Sequence, residues 1–165
     1  MVNLRLIIFL ILFSTSLSCS KDATKRDSLI PDVEFNELGS DGPYIYGETY
    51  YGRKNYITYY PGNIPVILSI PHGGDLSPLE ISNRTYGVSV TDSNTIELGM
   101  AIRNYFFTNF NVRPYLVINN LKRTKLDANR DIVEAAQGNL YAERAFNEFH
   151  HYINSARQEI INNFS

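Results

Sequence analysis

Chemistry enters this chain at Ser69-Ile70-Pro71-His72-Gly73-Gly74-Asp75, where a histidine and a carboxylate three positions apart follow a short apolar run. Residues 65–70 read as a buried strand, and Pro71 ends it. The end of a central strand is where α/β proteins place their working groups. Glycines 73 and 74 let the backbone turn sharply and approach a ligand closely. An imidazole nitrogen and a carboxylate oxygen both suit zinc, so His72 and Asp75 form a candidate metal pair. The same residues also read as a polar strand-to-loop turn in which His72 caps backbone groups, and the spacing alone does not separate the two.

A second group follows another strand. Asn120-Leu121-Lys122-Arg123-Thr124-Lys125-Leu126-Asp127-Ala128-Asn129-Arg130-Asp131 carries two arginines and an asparagine directly after an apolar run. That order points them toward the same sheet edge as His72. A guanidinium is a planar fork matched to a carboxylate, so several in one place fit a carboxylate-bearing substrate. Lys122 and Lys125 read as a solvated basic loop.

The elements that must position these groups are readable from pattern. Tyr-rich residues 44–52 and 55–60 alternate around Gly52-Arg53-Lys54 and predict a hairpin. Their many tyrosines fit exposed or half-exposed strands better than a deep core. Residues 76–91 are polar and turn-rich, which predicts a long loop over the site. A helix is expected after Asp92 or Ser93 as N-cap, with Ile96, Met100 and Phe106 on its apolar stripe. Residues 113–119 are nearly all apolar, as in a strand buried on both faces. Strand, helix and strand thus follow in the order of a right-handed parallel crossover. The last helix, residues 140–162, sets Ala142, Ala145, Phe149, Tyr152 and Ala156 on one face, and leaves His150 and His151 at surface positions. Its length calls for more sheet than the chain supplies, so residues 43–165 are expected to be the amino-terminal part of a larger domain.

Composition narrows the function classes. The chain has 165 residues, 44% apolar and 19% charged, with a formal net charge of -2. These values suit one globular domain, and no Lys/Arg-rich stripe supports nucleic-acid binding. Residues 1–19 read as a signal peptide: Arg5 is the positive region, and the apolar stretch 6–13 is well short of the roughly 20 residues of a membrane span. Cys19, the single cysteine, excludes an intrachain disulfide and stands where a bacterial lipoprotein is cleaved and lipidated. Ser16 departs from the leucine usual three places earlier. Residues 20–42 then form a tether and irregular segment. The expected location is the cell envelope, through a lipid anchor in the membrane, or otherwise secretion.

Taken together, Pro71-His72-Gly73-Gly74, Asp92-Ser93-Asn94-Thr95 with Leu98, Arg113-Pro114-Tyr115, and Arg123-Thr124-Lys125-Leu126-Asp127-Ala128-Asn129-Arg130 resemble the N-formylglutamate amidohydrolase family. The resemblance spans residue 64 to the end of the chain. It implies an α/β fold, a three-layer α/β/α sandwich around a largely parallel or mixed sheet, related to zinc carboxypeptidases. It implies Zn2+ as cofactor, with His72 and Asp75 as metal ligands, Asn129 and Arg130 holding the substrate carboxylate, and Arg123 polarising the scissile carbonyl. A second histidine and the catalytic acid are then expected beyond Ser165, so the chain alone should be inactive. Export argues for a substrate outside cytoplasmic histidine breakdown, such as another N-acyl amino acid or a peptide end. The competing expectation is an envelope lipoprotein that keeps the carboxylate pocket and performs no chemistry.

Overall fold

The structure, a computed structural model, describes residues 42–164, so the signal peptide, Cys19 and nearly all of the tether lie outside it. Four strands and three helices follow one another: β1 (Tyr50–Tyr51), β2 (Ile57–Tyr60), β3 (Ile67–Ile70), α1 (Thr95–Phe110), β4 (Tyr115–Asn119), α2 (Ile132–Ala136) and α3 (Leu140–Phe164). A short 3₁₀ turn, Arg53–Asn55, joins β1 to β2. The sheet has the order β1-β2-β4-β3 and is mixed. The hairpin pairs antiparallel, β2 lies antiparallel to β4, and β3 runs parallel to β4 with Ile67 opposite Tyr115. The fold is therefore α/β, with β3-α1-β4 as its parallel crossover.

Strand β4 is central, and all five of its residues are buried. Strand β3, expected to be buried, is the sheet's edge strand and only half-buried, because a single neighbour, β4, pairs with it. The β4 side chains alternate between two environments, as the period of 2 requires. Tyr115 and Val117 join the cluster packed around α3, whereas Leu116 touches Gly99 of α1. Helix α3 presents Ala142, Ala145, Phe149, Tyr152 and Ala156 to that cluster. These positions repeat every three or four residues, so small and aromatic side chains share one stripe.

The tyrosine-rich hairpin departs from expectation. Tyr59 is fully buried and stacks on Tyr152 with ring centroids 4.9 Å apart, and Tyr44 meets Tyr59 edge-on at 4.9 Å. The β2 arm supplies core, because α3 lies over it and an aromatic ring buries more apolar surface than any aliphatic residue. Tyr50 and Tyr51 of β1 are half-buried and exposed, as expected. Strand β1 is only two residues long.

Helix α1 is covered far less. Only Gly99 and Arg103 are buried, while Leu98, Tyr105 and Phe110 are each at least 60% exposed. Arg103 is held by two backbone carbonyls, those of Pro114 at 2.7 Å and Pro61 at 3.0 Å. The helix starts at Asn94, in the left-handed conformation and without a side-chain cap bond, rather than at Asp92 or Ser93. Asp92 is engaged elsewhere.

Candidate functional site

Residues 71–75 leave the β3–β4 ladder. Pairing runs to Ile70 opposite Ile118 and resumes at Leu76 opposite Leu121, so five residues of one chain segment stand against two of the other. The Leu76 amide donates to the Asn120 carbonyl at 2.9 Å, and the Lys122 amide donates back to Leu76 at 2.8 Å. Gly74 makes this possible, since a Cβ there would lie 2.0 Å from the Asn120 carbonyl carbon. Within the excursion, Asn119 Nδ2 donates to the Pro71 carbonyl and Thr95 Oγ1 to that of His72, each at 3.0 Å. His72 is thus fixed by the central strand on one side and by the first residue of α1 on the other.

Both ring nitrogens of His72 face carboxylates. Nε2 lies 2.6 Å from Asp127 Oδ1, and Nδ1 lies 3.2 Å from Asp92 Oδ2. Asp127 has no exposed surface. Its Oδ2 accepts from Arg123 Nε at 2.9 Å, and its Oδ1 also accepts from the Asn129 amide at 3.2 Å. Burial alone would raise the Asp127 carboxyl, but the bonds from His72 and Arg123 outweigh it and hold the group below the usual carboxylate range. Arg123 is itself buried and reaches around the ring, with Nη1 3.6 Å from Asp92 Oδ1. A neutral imidazole carries one proton, and the shorter contact assigns it to Nε2, donating to Asp127. Nδ1 then faces Asp92 Oδ2 at hydrogen-bond distance, a gap that either a second ring proton or a cation held by both groups closes.

That arrangement fits zinc as far as it goes. Two ligands of one zinc ion, each about 2.0–2.2 Å from it in a tetrahedral site, stand a little over 3 Å apart. The 3.2 Å between Nδ1 and Asp92 Oδ2 is slightly under the roughly 3.3–3.6 Å such ligands span and is also the length of a hydrogen bond between the two groups. The Nε2–Asp127 bond is the orienting contact that metal-bound histidines ordinarily make. Among the described residues, no group of three or more His, Cys, Asp or Glu side chains is placed to hold a metal. Two donors are half a site.

The residues singled out from the sequence are distributed unevenly. His72 and Asn129 line one pocket of about 140 Å³, together with Asp92 and Thr95. Asp75 is exposed on the loop and does not line that pocket; Asp92 stands beside the ring instead. Arg130 also lies outside the lining, with Nε 3.4 Å from Glu134 Oε1 and Nη1 bonded to the Asn129 carbonyl. Arg123 is present, but turned to the two aspartates. Lys125 is buried rather than solvated, its Nζ donating to the Ile81 carbonyl at 2.6 Å. His150 and His151 are half-buried, and His150 Nε2 lies 3.1 Å from the Ala128 carbonyl, bracing the turn that carries Asn129. Sequence reasoning gave Asp92 only a helix-capping role and left Asp127 and Arg84 without one. Asp127 had a signal: four residues from Arg123 and two from Asn129, it sat inside the arginine cluster.

A larger groove of about 560 Å³ lies elsewhere, between residues 82–86 and α2. Gln137 spans it, accepting from Thr85 Oγ1 and donating to the Tyr86 carbonyl. The smaller pocket holds the reactive groups. No protein-family model matches the chain, and neither a curated protein nor a solved structure matches it.

Proposed function

We propose that the His72 centre belongs to a zinc-dependent hydrolase of an amide bond in a carboxylate-bearing substrate, an N-acyl amino acid or peptide end, of the N-formylglutamate amidohydrolase type. The observation that carries this is a histidine whose Nε2 lies 2.6 Å from a buried carboxylate while Nδ1 and Asp92 Oδ2 face each other at 3.2 Å. His72 and Asp92 would hold the ion, with Asp75 the alternative carboxylate from the His-x-x-Asp spacing. Zinc there would polarise the amide carbonyl and lower the pKa of water. Asp127 keeps the proton on Nε2, and Arg123 holds both aspartates in place. Contact with the scissile carbonyl, the role the resemblance implies for Arg123, would have to be made with those bonds kept. Asn129 borders the pocket, and half-exposed Arg130 supplies a fork for the substrate carboxylate. A space of about 140 Å³ is a few water molecules in volume, which suits a small acyl group rather than a peptide side. In this reading the fold is a three-layer α/β/α sandwich, and Cys19 anchors the protein to the envelope membrane; mass spectrometry of the membrane fraction tests the lipid.

Zinc titration against a chelating dye tests the centre directly. His72→Ala and Asp92→Asn should each weaken uptake at least tenfold, and Asp75→Asn should leave it unchanged. In the full-length protein, hydrolysis of N-formyl and N-acetyl amino acids should exceed that of their carboxamide counterparts, and Arg130→Ala should erase the preference. Zinc uptake indifferent to both His72 and Asp92 would end this reading. A second reading, a binding lipoprotein without chemistry, is favoured by the two-donor count among the described residues. Carboxylate binding with no turnover in the zinc-loaded full-length protein would support it.

A further inference from the structure

Arg84 lies in the long loop between β3 and α1, far from the arginine cluster in sequence, and its side chain is 1% exposed. Its backbone amide donates to the Thr124 carbonyl at 2.7 Å. Its guanidinium donates to three more carbonyls: Nη1 to Val88 at 2.8 Å and Arg123 at 2.9 Å, and Nε to Glu134 at 3.1 Å. Nη1 also stands 3.8 Å from Asp127 Oδ2, behind the carboxylate that holds His72. Nη2 has no hydrogen-bond partner, and its nearest anion is Glu134 Oε1 at 3.7 Å. Glycine is required opposite it: Gly87 has φ +79°, and a Cβ there would lie 2.7 Å from Nη2 and 2.5 Å from Glu134 Oε1.

These contacts join two segments that also meet where Lys125 Nζ donates to the Ile81 carbonyl and Arg123 Nη1 to that of Val90. One is the loop that leads through Val88 and Val90 to Asp92. The other is the turn that carries Arg123 and Asp127. A buried guanidinium is committed where it lies, because leaving its donors unsatisfied in the interior is costly. We propose that Arg84 is a positioning residue of the His72 centre, a buried strut that sets the Asp92 loop against the Arg123–Asp127 turn. The inference rests on the zinc reading of that centre, and it deepens it: the separation of Asp92 from His72 is set by a residue that touches neither. Arg84 binds no substrate, since the buried guanidinium lies beneath the surface that a ligand could reach.

The test is the zinc affinity of the mature chain, read by competition with a chelating dye, with thermal unfolding followed alongside. Arg84→Met should weaken zinc binding 10–100-fold, the range for a lost orienting contact around a metal. Arg84→Lys keeps the charge without the fork and should recover part of that loss. Ala156→Gly, a helix-interior change in the α3 core, supplies a destabilised chain with an untouched site and should bind zinc as the parent does. Arg84→Met with parental zinc affinity overturns the inference. So does an Ala156→Gly chain that loses affinity in step with its stability, because the role would then be structural only. If Arg84→Met does not fold, Arg84→Lys is read by the same criterion; if neither folds, Arg84 is a folding residue and the proposal fails. A parent chain that takes up no zinc defeats the underlying reading as well, and that result is distinct from a parent that binds and variants that bind equally.

Discussion

The two helices that pack on the sheet do so with very different commitment. On the α3 side, Tyr44, Tyr50, Tyr59 and Tyr152 form a continuous aromatic cluster, and the helix buries a full stripe. On the α1 side, a glycine and an arginine are the buried residues, and aromatic side chains face outward. The His72 centre straddles the two. Its buried half, Asp127 with Arg123, belongs to the turn that α3 braces through His150; its exposed half, Asp92 and Asn129, opens toward the start of α1. Firm support beneath and solvent access above is the division a ligand-binding centre needs, since orienting groups must not move and contacting groups must be reachable.

The largest effect expected from this contrast is in stability. Tyr152→Ala should cost about 3–5 kcal/mol, as deletion of a buried aromatic does, while Phe110→Ala on the outer face of α1 should stay within about 0.5 kcal/mol. Denaturant midpoints of the two variants measure the difference directly, and equal losses would erase the distinction between the sides. Within the centre the same asymmetry should hold. Asp127→Ala strands Arg123 and the His72 proton in the interior and should cost about 3–5 kcal/mol, against at most about 0.5 for exposed Asp75→Ala.

Acid should act on the loop side first. Glu80 accepts from Arg53, Lys54 and Tyr56, and these bonds outweigh the opposing effect of its burial to bring its carboxyl from 4.5 down to about 2. A folded-state value below the unfolded one contributes stability above pH 4.5, and that contribution is lost as pH falls toward 2. Glu148 is the counterpart under α3: its burial raises its carboxyl despite bonds from the Arg53 amide and Arg144, so its contribution is present at low pH and fades as pH rises through its folded value. Urea midpoints between pH 2 and 6 should therefore fall on acidification in the parent, and fall less in Glu80→Gln. An unchanged slope would show that Glu80 does not tie the loop down. The smallest effect concerns the tyrosine core. The Tyr152 hydroxyl is buried without a hydrogen-bond partner, so Tyr152→Phe should be neutral or stabilising by up to about 1 kcal/mol. A clear loss of midpoint would mean the hydroxyl is satisfied after all.

How much of this could be read beforehand follows the reach of each interaction. Strands β3 and β4, helix α1 and helix α3 announce themselves through local periodicity and lie where the pattern put them. The hairpin was visible as two arms, but its burial was not, because that depends on α3 crossing it about a hundred residues later. At the site, His72 stands out by following an apolar strand, although that strand is the half-buried edge β3 rather than a buried one, and Asn129 trails the buried β4; the structure puts both in one pocket. Asp75 looked like the partner of His72 because it is near in sequence; Asp92 reaches the ring because a twenty-residue loop folds back. Arg84 carries no local signature at all. Its importance lies in four carbonyls contributed by three separate stretches of chain, and no window of sequence contains them.

The excursion at residues 71–75 has one further consequence. Because the ladder closes again at Leu76 and Leu121, the histidine is suspended from a span anchored at both ends rather than from the tip of a free loop. The conformational entropy of that span is given up when the chain folds. A metal or ligand bound there, as proposed, would find the imidazole already stationary, so more of its own interaction energy would remain as affinity. Amide exchange should report this state of readiness: the Leu76 and Lys122 amides should exchange as slowly as those of the central strand, before anything has bound.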